Sequence, residues 1–303
     1  MDHAIAAVRR FNRFYTQAVG ALDARFLGSE MNLAEARLLF EIDRHASVPA
    51  RVLQHALAMD PGYVSRILGR FETRDWIARA PDPDDARIRL VALTGTGRAV
   101  LASVDRRQRD AVAERLSRLG PLERADLTEA LTRARLLLEP GAAAELTIRT
   151  FRTGDMGAIA SRQSRLYAES RGWGVRLEII EGQVTTDFLR RFKPGREQCW
   201  VAELDGVMAG SVFLTDEGDG AARLRLLYVE PFARGRGAGE RLVQGLVGFA
   251  RTAGYDRITL WTHTVLETAR RLYARQGFRL VETAMHEEFG TALQGETWRI
   301  DLV

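Results

Sequence analysis

The sequence predicts two domains, a mainly helical domain followed by an α/β domain. A length of 303 residues suggests about two domains of roughly 150 residues each. Apolar residues recur at spacings of three and four from residue 3 to about residue 138, whereas short β-rich runs appear after residue 146. The pattern changes at Pro140-Gly141, a helix-breaking pair. We therefore assign the domains to residues 1–140 and 146–303.

Composition excludes several other classes of protein. Apolar residues make up 46% and charged residues 28%, which is typical of globular domains and not of fibrous or disordered chains. No apolar run reaches the roughly 18 residues of a membrane span, and no secretory signal is visible at the N-terminus. Cys199 is the only cysteine, so an intramolecular disulfide and a thiolate metal cluster are excluded. We expect a cytoplasmic protein that uses no metal.

Positive and negative charges are nearly balanced, at 44 basic and 40 acidic residues. The part before Pro140 has 22 basic and 19 acidic residues, and the part after it has 22 and 21. Neither part has the strong basic excess of a non-specific nucleic-acid binder. Any contact with DNA must therefore come from the local placement of arginines.

Helical patterns fill most of the first domain. The apolar spacing predicts a first helix over residues 3–26 and a short helix over 50–58. Between them, Asn32 and Glu35 form the sequence pattern of a capping box at the start of a second helix. After them, Asp60 is a suitable N-cap and Pro61 a suitable first residue for the next helix.

The helix that begins at Pro61 presents an unusual outer face. Val64, Ile67, Leu68 and Phe71 share its apolar side. The outward positions are Gly62, Tyr63, Ser65, Arg66, Gly69 and Arg70. Two short helices with this exposed set are typical of a helix-turn-helix, whose second helix enters the major groove of DNA. An ordinary surface helix with arginines is the alternative.

The segment that follows indicates a wing. Two strand-like runs, Trp76–Ala80 and Arg87–Leu93, flank a turn-rich loop, and Thr94 can cap a long helix to about residue 119. Across residues 3–138 this layout resembles the MarR family of winged helix-turn-helix regulators. The wing pattern of that family, Asp-x-x-Asp-Arg-Arg and then Leu-Thr-x-x-Gly, is matched by Asp82, Asp85, Arg87, Leu93, Thr94 and Gly97, whereas Ala86 departs from it.

The resemblance implies a homodimer on a near-palindromic DNA site. The first helix and the last two helices would intertwine, and the stripe Leu127, Leu131, Ala134 and Leu138 suits either such an interface or an intradomain core. The residues that would contact DNA are Tyr63, Ser65, Arg66 and Arg70 on the recognition helix and Arg87 in the wing.

The second domain alternates strands with three helical patterns. The β-rich runs are Leu146–Phe151, Cys199–Glu203, Ser211–Leu214, Arg223–Val229, Arg257–Trp261, Phe278–Val281 and Glu296–Leu302. After Arg223–Val229, glycines at 235, 237 and 239 begin a helix. Main-chain N–H groups that no side chain obstructs, at a helix N-terminus, favour the binding of a phosphate group. No G-x-G-x-x-G and no Gly-Lys-Ser/Thr is present, which argues against a dinucleotide site and a P-loop.

From about residue 146 to 303 the chain resembles the GNAT family of N-acetyltransferases. Arg234, Gly237 and Gly239 match the acetyl-CoA motif of that family, Arg/Gln-x-x-Gly-x-Gly/Ala. Val229-Glu230-Pro231 precedes the motif, as is usual in the family. The segment 269–278 contains Tyr273 and ends in Gly277-Phe278, which is also usual there. The resemblance implies a mixed central sheet and the transfer of an acetyl group from acetyl-CoA to an amine.

It also implies roles for individual residues. The main chain of Leu227, Tyr228 and Val229 would pair with the pantetheine arm, and Tyr273 would protonate the departing thiolate. The pyrophosphate would bind the N–H groups of Arg234, Gly235, Arg236, Gly237, Ala238 and Gly239. Leu266 stands where family members often have asparagine, so Thr264 is the candidate for that side-chain contact.

The sequence indicates the general base and the acceptor site less directly. His263 ends a strand beside the expected acceptor and is the first candidate base; Glu203, His286, Glu287 and Glu288 are others, and each also suits a structural or surface role. Tyr167, Glu169 and Trp173 are candidate acceptor contacts, because an aromatic wall with one carboxylate suits an amine. A small amine is favoured slightly over a protein lysine, since no acidic tract or docking extension is visible.

Three hypotheses therefore stand. The chain is an acetyltransferase joined to a DNA-binding dimer, or a regulator that senses acetyl-CoA or another ligand with little turnover, or an acetyltransferase whose winged helix is only a dimerisation scaffold. The intact glycine turn and Tyr273 argue against the second, and the exposed arginines argue mildly against the third.

Overall fold

A computed structural model describes residues 1–289 and 292–302 of the chain. It divides into two compact units, Met1–Arg124 and Ala125–Val303. The division falls inside a helix, about 16 residues before the Pro140-Gly141 boundary expected from the sequence.

The first unit is helical with one small sheet. Its helices are α1 (Asp2–Ala18), α2 (Leu33–Asp43), α3 (Ala50–Leu57), α4 (Pro61–Thr73), α5 (Gly95–Ser117) and the start of α6 (Pro121–Leu138). Its strands are β1 (Val48–Pro49), β2 (Ile77–Pro81) and β3 (Arg89–Leu93), which pair antiparallel in the order β1-β3-β2. The order of helices and hairpin agrees with the predicted winged helix-turn-helix.

The caps predicted from the sequence are present. The side chain of Asn32 accepts the N–H of Glu35 and the carboxylate of Glu35 accepts the N–H of Asn32, which completes the capping box of α2. Asp60 caps α4, and Thr94 caps α5 by accepting the N–H of Gly97 at 3.0 Å. A Cβ at Gly97 would lie 1.9 Å from the carbonyl oxygen of Trp76, so only glycine fits there.

The first helix is shorter than predicted. It ends at Ala18 instead of residue 26, because Gly20 takes a left-handed φ of +64° and turns the chain. None of its residues is buried. Its apolar residues Ile5, Val8, Phe11, Phe14 and Tyr15 are each about half exposed or more.

The second unit has a seven-stranded sheet with helices packed on it. The strands are β4 (Leu146–Thr150), β5 (Gln198–Leu204), β6 (Val207–Gly218), β7 (Ala221–Val229), β8 (Arg257–His263), β9 (Arg279–His286) and β10 (Leu293–Asp301). The helices are α7 (Asp155–Arg171), α8 (Val175–Arg191), α9 (Ala238–Thr252) and α10 (Glu267–Arg275), one more than the three predicted patterns. The strand order is β4-β5-β6-β7-β8-β10-β9.

The sheet is mixed, as predicted. Only β7 and β8 pair in parallel; the other neighbouring strands described are antiparallel. The largest core of the unit lies between this sheet and α9, whose apolar face buries Leu242, Val243, Leu246, Val247 and Ala250. The helix therefore holds its N-terminal turn against the end of β7.

Candidate active site and DNA-binding surface

The parallel strands β7 and β8 separate halfway along their length. Their ladder runs from the pair Ala221–Arg257 to the pair Leu224–Leu260 and ends there. Beyond it, β7 continues to Val229 and β8 to His263 without pairing to each other. The main chain of Leu227 and Val229 therefore faces a cleft on the β8 side.

A β-bulge marks the same point on β7. Ser211 of β6 pairs with Tyr228 and Phe213 pairs with Arg225, so three steps on β7 oppose two on β6. Within the bulge, Leu226 has a φ of +47°, a conformation that costs energy for a branched side chain. Bulges of this kind change the direction of the strand and are frequent beside functional sites.

A glycine turn leads from β7 into α9. Gly235 and Gly237 have φ values of +75° and +81°, in the left-handed region that favours glycine. No side chain caps α9, and among the described residues the N–H groups from Gly235 to Glu240 donate to no protein acceptor. This exposed turn is a concave set of free donors at a helix N-terminus.

Packing fixes the turn from both sides. A Cβ at Gly239 would lie 3.3 Å from the side chain of Leu272 and 3.5 Å from that of Val229, so the turn lies close to α10 and the end of β7. Arg236 donates to the carbonyl oxygen of Ala142 at 2.9 Å, and Arg241 donates to that of Leu146 at 2.7 Å. The turn is thus held in place without using its own N–H groups.

A cavity of about 470 Å³ occupies the cleft between β7 and β8. Helices α7, α8 and α10 and the segment after β9 complete its walls. The lining includes Tyr167, Trp173, Trp261, His263, Phe289, Leu177, Ile180, Val184, Leu266 and Tyr273. Polar and charged side chains complete the lining, namely those of Gln163, Glu181, Arg223, Arg225, Thr262 and Glu288.

Tyr273 lies in this cavity, on α10. The residue is 5% exposed, and burial raises the pKa of its phenol well above the usual value, with a smaller contribution from Tyr167. The phenol is therefore protonated at neutral pH. The structure thus has a buried phenol in the same cavity as Leu227 of β7.

His263 also lies in the cavity, surrounded by rings. Trp261, Trp173, His286 and Phe289 have ring centroids 4.5–5.2 Å from it, and its Nε2 atom is buried without a partner among the described residues. Burial, with a smaller effect of His286, lowers its pKa to about 4. The imidazole is therefore neutral at pH 7.

The three predicted acceptor contacts separate into two groups. Tyr167 and Trp173 line the cavity and stack, with ring centroids 5.2 Å apart. Burial and the nearby Glu181 raise the pKa of Tyr167 to about 12. Glu169 lies two positions after Tyr167 on α7, is exposed, and is not part of the lining.

One carboxylate of the cavity was missed by the sequence analysis, that of Glu181 on α8. Glu181 is fully buried, and the hydroxyl of Ser164 donates a hydrogen bond to its Oε2 atom. Burial raises its pKa to about 8, because the hydrogen bond from Ser164 only partly offsets desolvation. The sequence holds a signal for this buried carboxylate, because Glu181 lies at helical spacing among the residues of the buried side of α8. These residues are Leu177, Glu181, Thr185 and Phe188.

The side chains of two other predicted cofactor contacts are engaged within the protein, one by packing and one by a hydrogen bond. The side chain of Tyr228 belongs to a core cluster with Phe213 and Phe188, so only its main chain is available to a ligand. Thr264 is half-buried and donates through its N–H and its hydroxyl to the carbonyl oxygen of Gln294.

In the first unit, α4 exposes most of the predicted DNA contacts. Ser65 and Arg66 are exposed, and the Arg66 guanidinium lies 6.0 Å from the ring centroid of half-buried Tyr63. Arg87 is exposed between β2 and β3, and its N–H donates to Asp85. Arg70 differs, because its guanidinium pairs with the buried carboxylate of Glu35 in the capping box of α2.

Neither metal ligands nor membrane helices are found where the structure describes the chain. In residues 1–289 and 292–302, no group of three His, Cys, Asp or Glu side chains is arranged to hold a metal ion. No helix in those ranges is long and apolar enough to cross a membrane.

Comparison with protein families identifies both parts of the chain. Residues 166–278 match the Acetyltransferase (GNAT) family, and residues 29–88 match the MarR family. The chain thus combines a MarR-type segment with a GNAT-type segment in the order that the sequence predicted.

Curated relatives match a short part of the chain. An N-acetylaspartate synthetase from Danio rerio is 34% identical over 29% of this chain and 32% of its own length. A mycothiol acetyltransferase from Beutenbergia cavernae is 33% identical over 28% of each protein. The chain thus spans about a third of the length of these relatives.

Solved structures also match over about half of the chain. An acetyltransferase structure from Salmonella typhimurium with its cofactor acetyl-CoA is 22% identical, with a TM-score of 0.45, over 52% of this chain and 94% of that one. A ribosomal-protein-alanine N-acetyltransferase from Brucella melitensis is 20% identical, with a TM-score of 0.44, over 52% and 99%.

Proposed function

We propose that this chain, in which a MarR family segment is joined to a GNAT family acetyltransferase segment, transfers the acetyl group of acetyl-CoA to an amine. The observation that supports this best is the arrangement around β7. One strand supplies an unpaired main-chain edge, leads into a turn of free N–H groups, and faces a buried phenol across the cavity.

The turn fits the pyrophosphate of acetyl-CoA. Its N–H groups from Gly235 to Glu240 have no protein acceptor in the part of the chain that the structure describes, and phosphate oxygens are strong acceptors. Arg234 is exposed at the start of the turn and is close enough to Tyr167 to lower that phenol's pKa slightly, which links the turn to the cavity. The pantetheine arm would follow the main chain of Leu227 and Val229.

Bound acetyl-CoA would supply a thioester, and the residues around it would donate and accept protons. When an amine attacks the carbonyl carbon, the thiolate that leaves needs a proton. Tyr273 is protonated at neutral pH, since burial raises its pKa, and it lies in the same cavity. A phenol in this state is a suitable general acid.

The test of this proposal is acetyl-CoA binding and turnover by the full chain. We expect saturable binding of acetyl-CoA in a calorimetric titration and release of free CoA thiol when amines are added. Saturable binding of acetyl-CoA with no acetylated product from any amine would favour a regulator that senses acetyl-CoA. Absence of binding would overturn the proposal.

We also propose that the first unit binds DNA as a homodimer. Exposed Ser65, Arg66 and Arg87 support DNA binding, because a recognition helix and a wing present such residues to the two grooves. The unburied apolar face of α1 supports the dimer, since a helix needs an apolar partner surface to be stable.

Two measurements test this second proposal. Selection from random duplexes at about 0.1 M salt should recover a near-palindromic site. Phe11→Glu should shift the sedimenting species from dimer to monomer, because it places a charge on the exposed apolar face of α1. A dimer that selects no symmetric site would favour the scaffold hypothesis.

A further inference from the structure

Two buried oxygen atoms at the α7–α8 side of the cavity have no hydrogen-bond donor. They are Oε1 of Glu181 and Oε1 of Gln163, and both atoms are inaccessible to solvent and unpartnered within the described residues. Glu181 is 0% exposed and Gln163 is 6% exposed, and both residues line the cavity. Buried polar atoms normally have partners, so this pair of acceptors indicates a missing donor.

A ligand that satisfies these two oxygen atoms has to bring hydrogen-bond donors. Ser164 already donates to Oε2 of Glu181, which leaves the Oε1 atom as the one that lacks a partner. A primary ammonium has three N–H donors and no acceptor, so it is a suitable partner for such oxygen atoms. The aromatic rings of Tyr167 and Trp173, which line the same cavity, also attract a cation.

On the basis of the proposed acetyl transfer, we infer that Glu181 is the group that accepts a proton from the acceptor's ammonium, and that the acceptor is a small primary amine on an apolar or aromatic body. Gln163 holds the same ammonium by its side-chain oxygen. The body of the acceptor packs among the rings of Trp173, Trp261 and Phe289.

The apolar nature of the acceptor follows from the remaining walls. Leu177, Ile180, Val184 and Leu266 extend the lining with aliphatic carbon. The two arginines of the lining, Arg223 and Arg225, both pair with Glu217, at 3.8 and 3.1 Å. These two cations of the lining therefore share one anionic partner, and the aliphatic wall beside them suits the carbon body of an amine.

The proton balance of this step is complete. The ammonium gives one proton to Oε1 of Glu181, and the free amine then forms a C–N bond to the acetyl carbon as the C–S bond breaks. Tyr273 gives its proton to the thiolate and regains one from the nitrogen of the new amide. Glu181 releases its proton to solvent, so the products are an amide, CoA and one proton.

Glu181 is better suited to this role than His263. Its pKa of about 8 lies near neutral pH, where a general base is most effective, whereas the pKa of about 4 makes His263 a weak base. The other ionisable groups of the lining are Tyr167, Arg223, Arg225, Tyr273 and Glu288, and Glu178 on its own helix raises the pKa of Glu181 further.

The first test uses the unmodified protein and its pH profile. With 2-phenylethylamine as the probe, kcat/KM should rise with pH and level off above about 8, because only ionised Glu181 accepts the proton. Ring-substituted phenylethylamines of lower pKa should give the same midpoint. A midpoint that follows the pKa of the amine would overturn the role of Glu181.

The second test replaces the carboxylate by an amide of the same shape. Glu181→Gln keeps an oxygen to accept from Ser164, so we expect it to fold and bind acetyl-CoA normally. Its kcat/KM for 2-phenylethylamine should fall by roughly 100- to 1,000-fold, and the rise near pH 8 should disappear. Asp187→Asn, an exposed carboxyl-to-amide change on the same helix, should have the rate of the unmodified protein. Full activity in Glu181→Gln would overturn the inference.

The acceptor class is tested separately from the acetyl transfer. A panel of 2-phenylethylamine, spermidine, phenylalanine and a lysine-containing peptide, each with acetyl-CoA, should give the highest kcat/KM for 2-phenylethylamine. A preference for spermidine, the amino acid or the peptide would overturn this acceptor class and leave the proposed acetyl transfer intact. If acetyl-CoA does not bind, the proposed function itself fails.

Discussion

The two ends of the site proposed in the second unit are built from different kinds of groups. The turn from Gly235 to Glu240 offers main-chain N–H groups without a protein acceptor among the described residues, whereas the cavity offers the buried side chains of Glu181 and Gln163. A main-chain site depends on φ and on the space that glycine leaves open. A buried side-chain site depends on single atoms and on the dry surroundings that shift their pKa values. The first should therefore be sensitive to added bulk, and the second to the loss of one functional group.

The largest effect is expected at the turn. Gly237 has a φ of +81°, and Gly237→Glu would add strain, a side chain and a negative charge where phosphate oxygens would bind. We expect calorimetry to detect no acetyl-CoA binding. Gly245→Glu, on an exposed position of α9 with open space around it, should bind normally. Equal affinity in the two variants would contradict a pyrophosphate site at the turn.

A smaller effect is expected between the two ends, at Tyr273. Tyr273→Phe removes the phenol hydroxyl and keeps the ring, so kcat should fall by roughly 10- to 1,000-fold while acetyl-CoA affinity stays the same. Tyr255→Phe, whose hydroxyl donates to the carbonyl of Arg196, serves as the control with unchanged kcat. Unchanged kcat in Tyr273→Phe would mean that another group protonates the thiolate.

A still smaller effect is expected at Ser164, which positions Glu181. The hydroxyl of Ser164 lowers the pKa of Glu181, so Ser164→Ala should raise that pKa and move the rise in kcat/KM to higher pH. Activity at pH 7 should then fall a few-fold and recover at higher pH. Ser170→Ala, an exposed serine on the same helix, should leave the profile unchanged. An unshifted midpoint in Ser164→Ala would argue against this contact.

The smallest effect concerns the two arginines of α4. Arg70 pairs with buried Glu35, so Arg70→Ala should destabilise the first unit by about 1 kcal/mol and lower its melting temperature by a few degrees. Arg66 is exposed, with its guanidinium 6.0 Å from the ring centroid of Tyr63, so Arg66→Ala should weaken DNA binding without a change in melting temperature. The reverse pattern would assign Arg70 to DNA and Arg66 to stability.

The difference between the two ends also decides what the sequence could predict. The turn is one continuous segment, and its glycine spacing follows from φ and from the need for bare N–H groups. The acceptor end combines α7, α8, β8 and the segment after β9, which no local pattern brings together. Glu169 was expected to add a carboxylate to the aromatic wall formed by Tyr167 and Trp173, but residues two apart on a helix, such as Tyr167 and Glu169, face different sides.

The helices of the first unit show the same limit. The capping box of α2 and the cap of α4 were predicted because they are local contacts of three residues. The end of α1 was missed because apolar spacing continues past Gly20, where a left-handed φ stops the helix. The pairing of Arg70 with Glu35 joins residues 35 positions apart and has no signal in the sequence.

The most direct test of the central claim is transfer of the acetyl group itself. The full chain would be incubated with acetyl-CoA and 2-phenylethylamine, and free CoA and N-acetylated amine would be measured by mass spectrometry. The account predicts equal amounts of the two products, and none from the Gly237→Glu variant. CoA released without acetylated amine from this or any other amine, or equal turnover by Gly237→Glu, would contradict it.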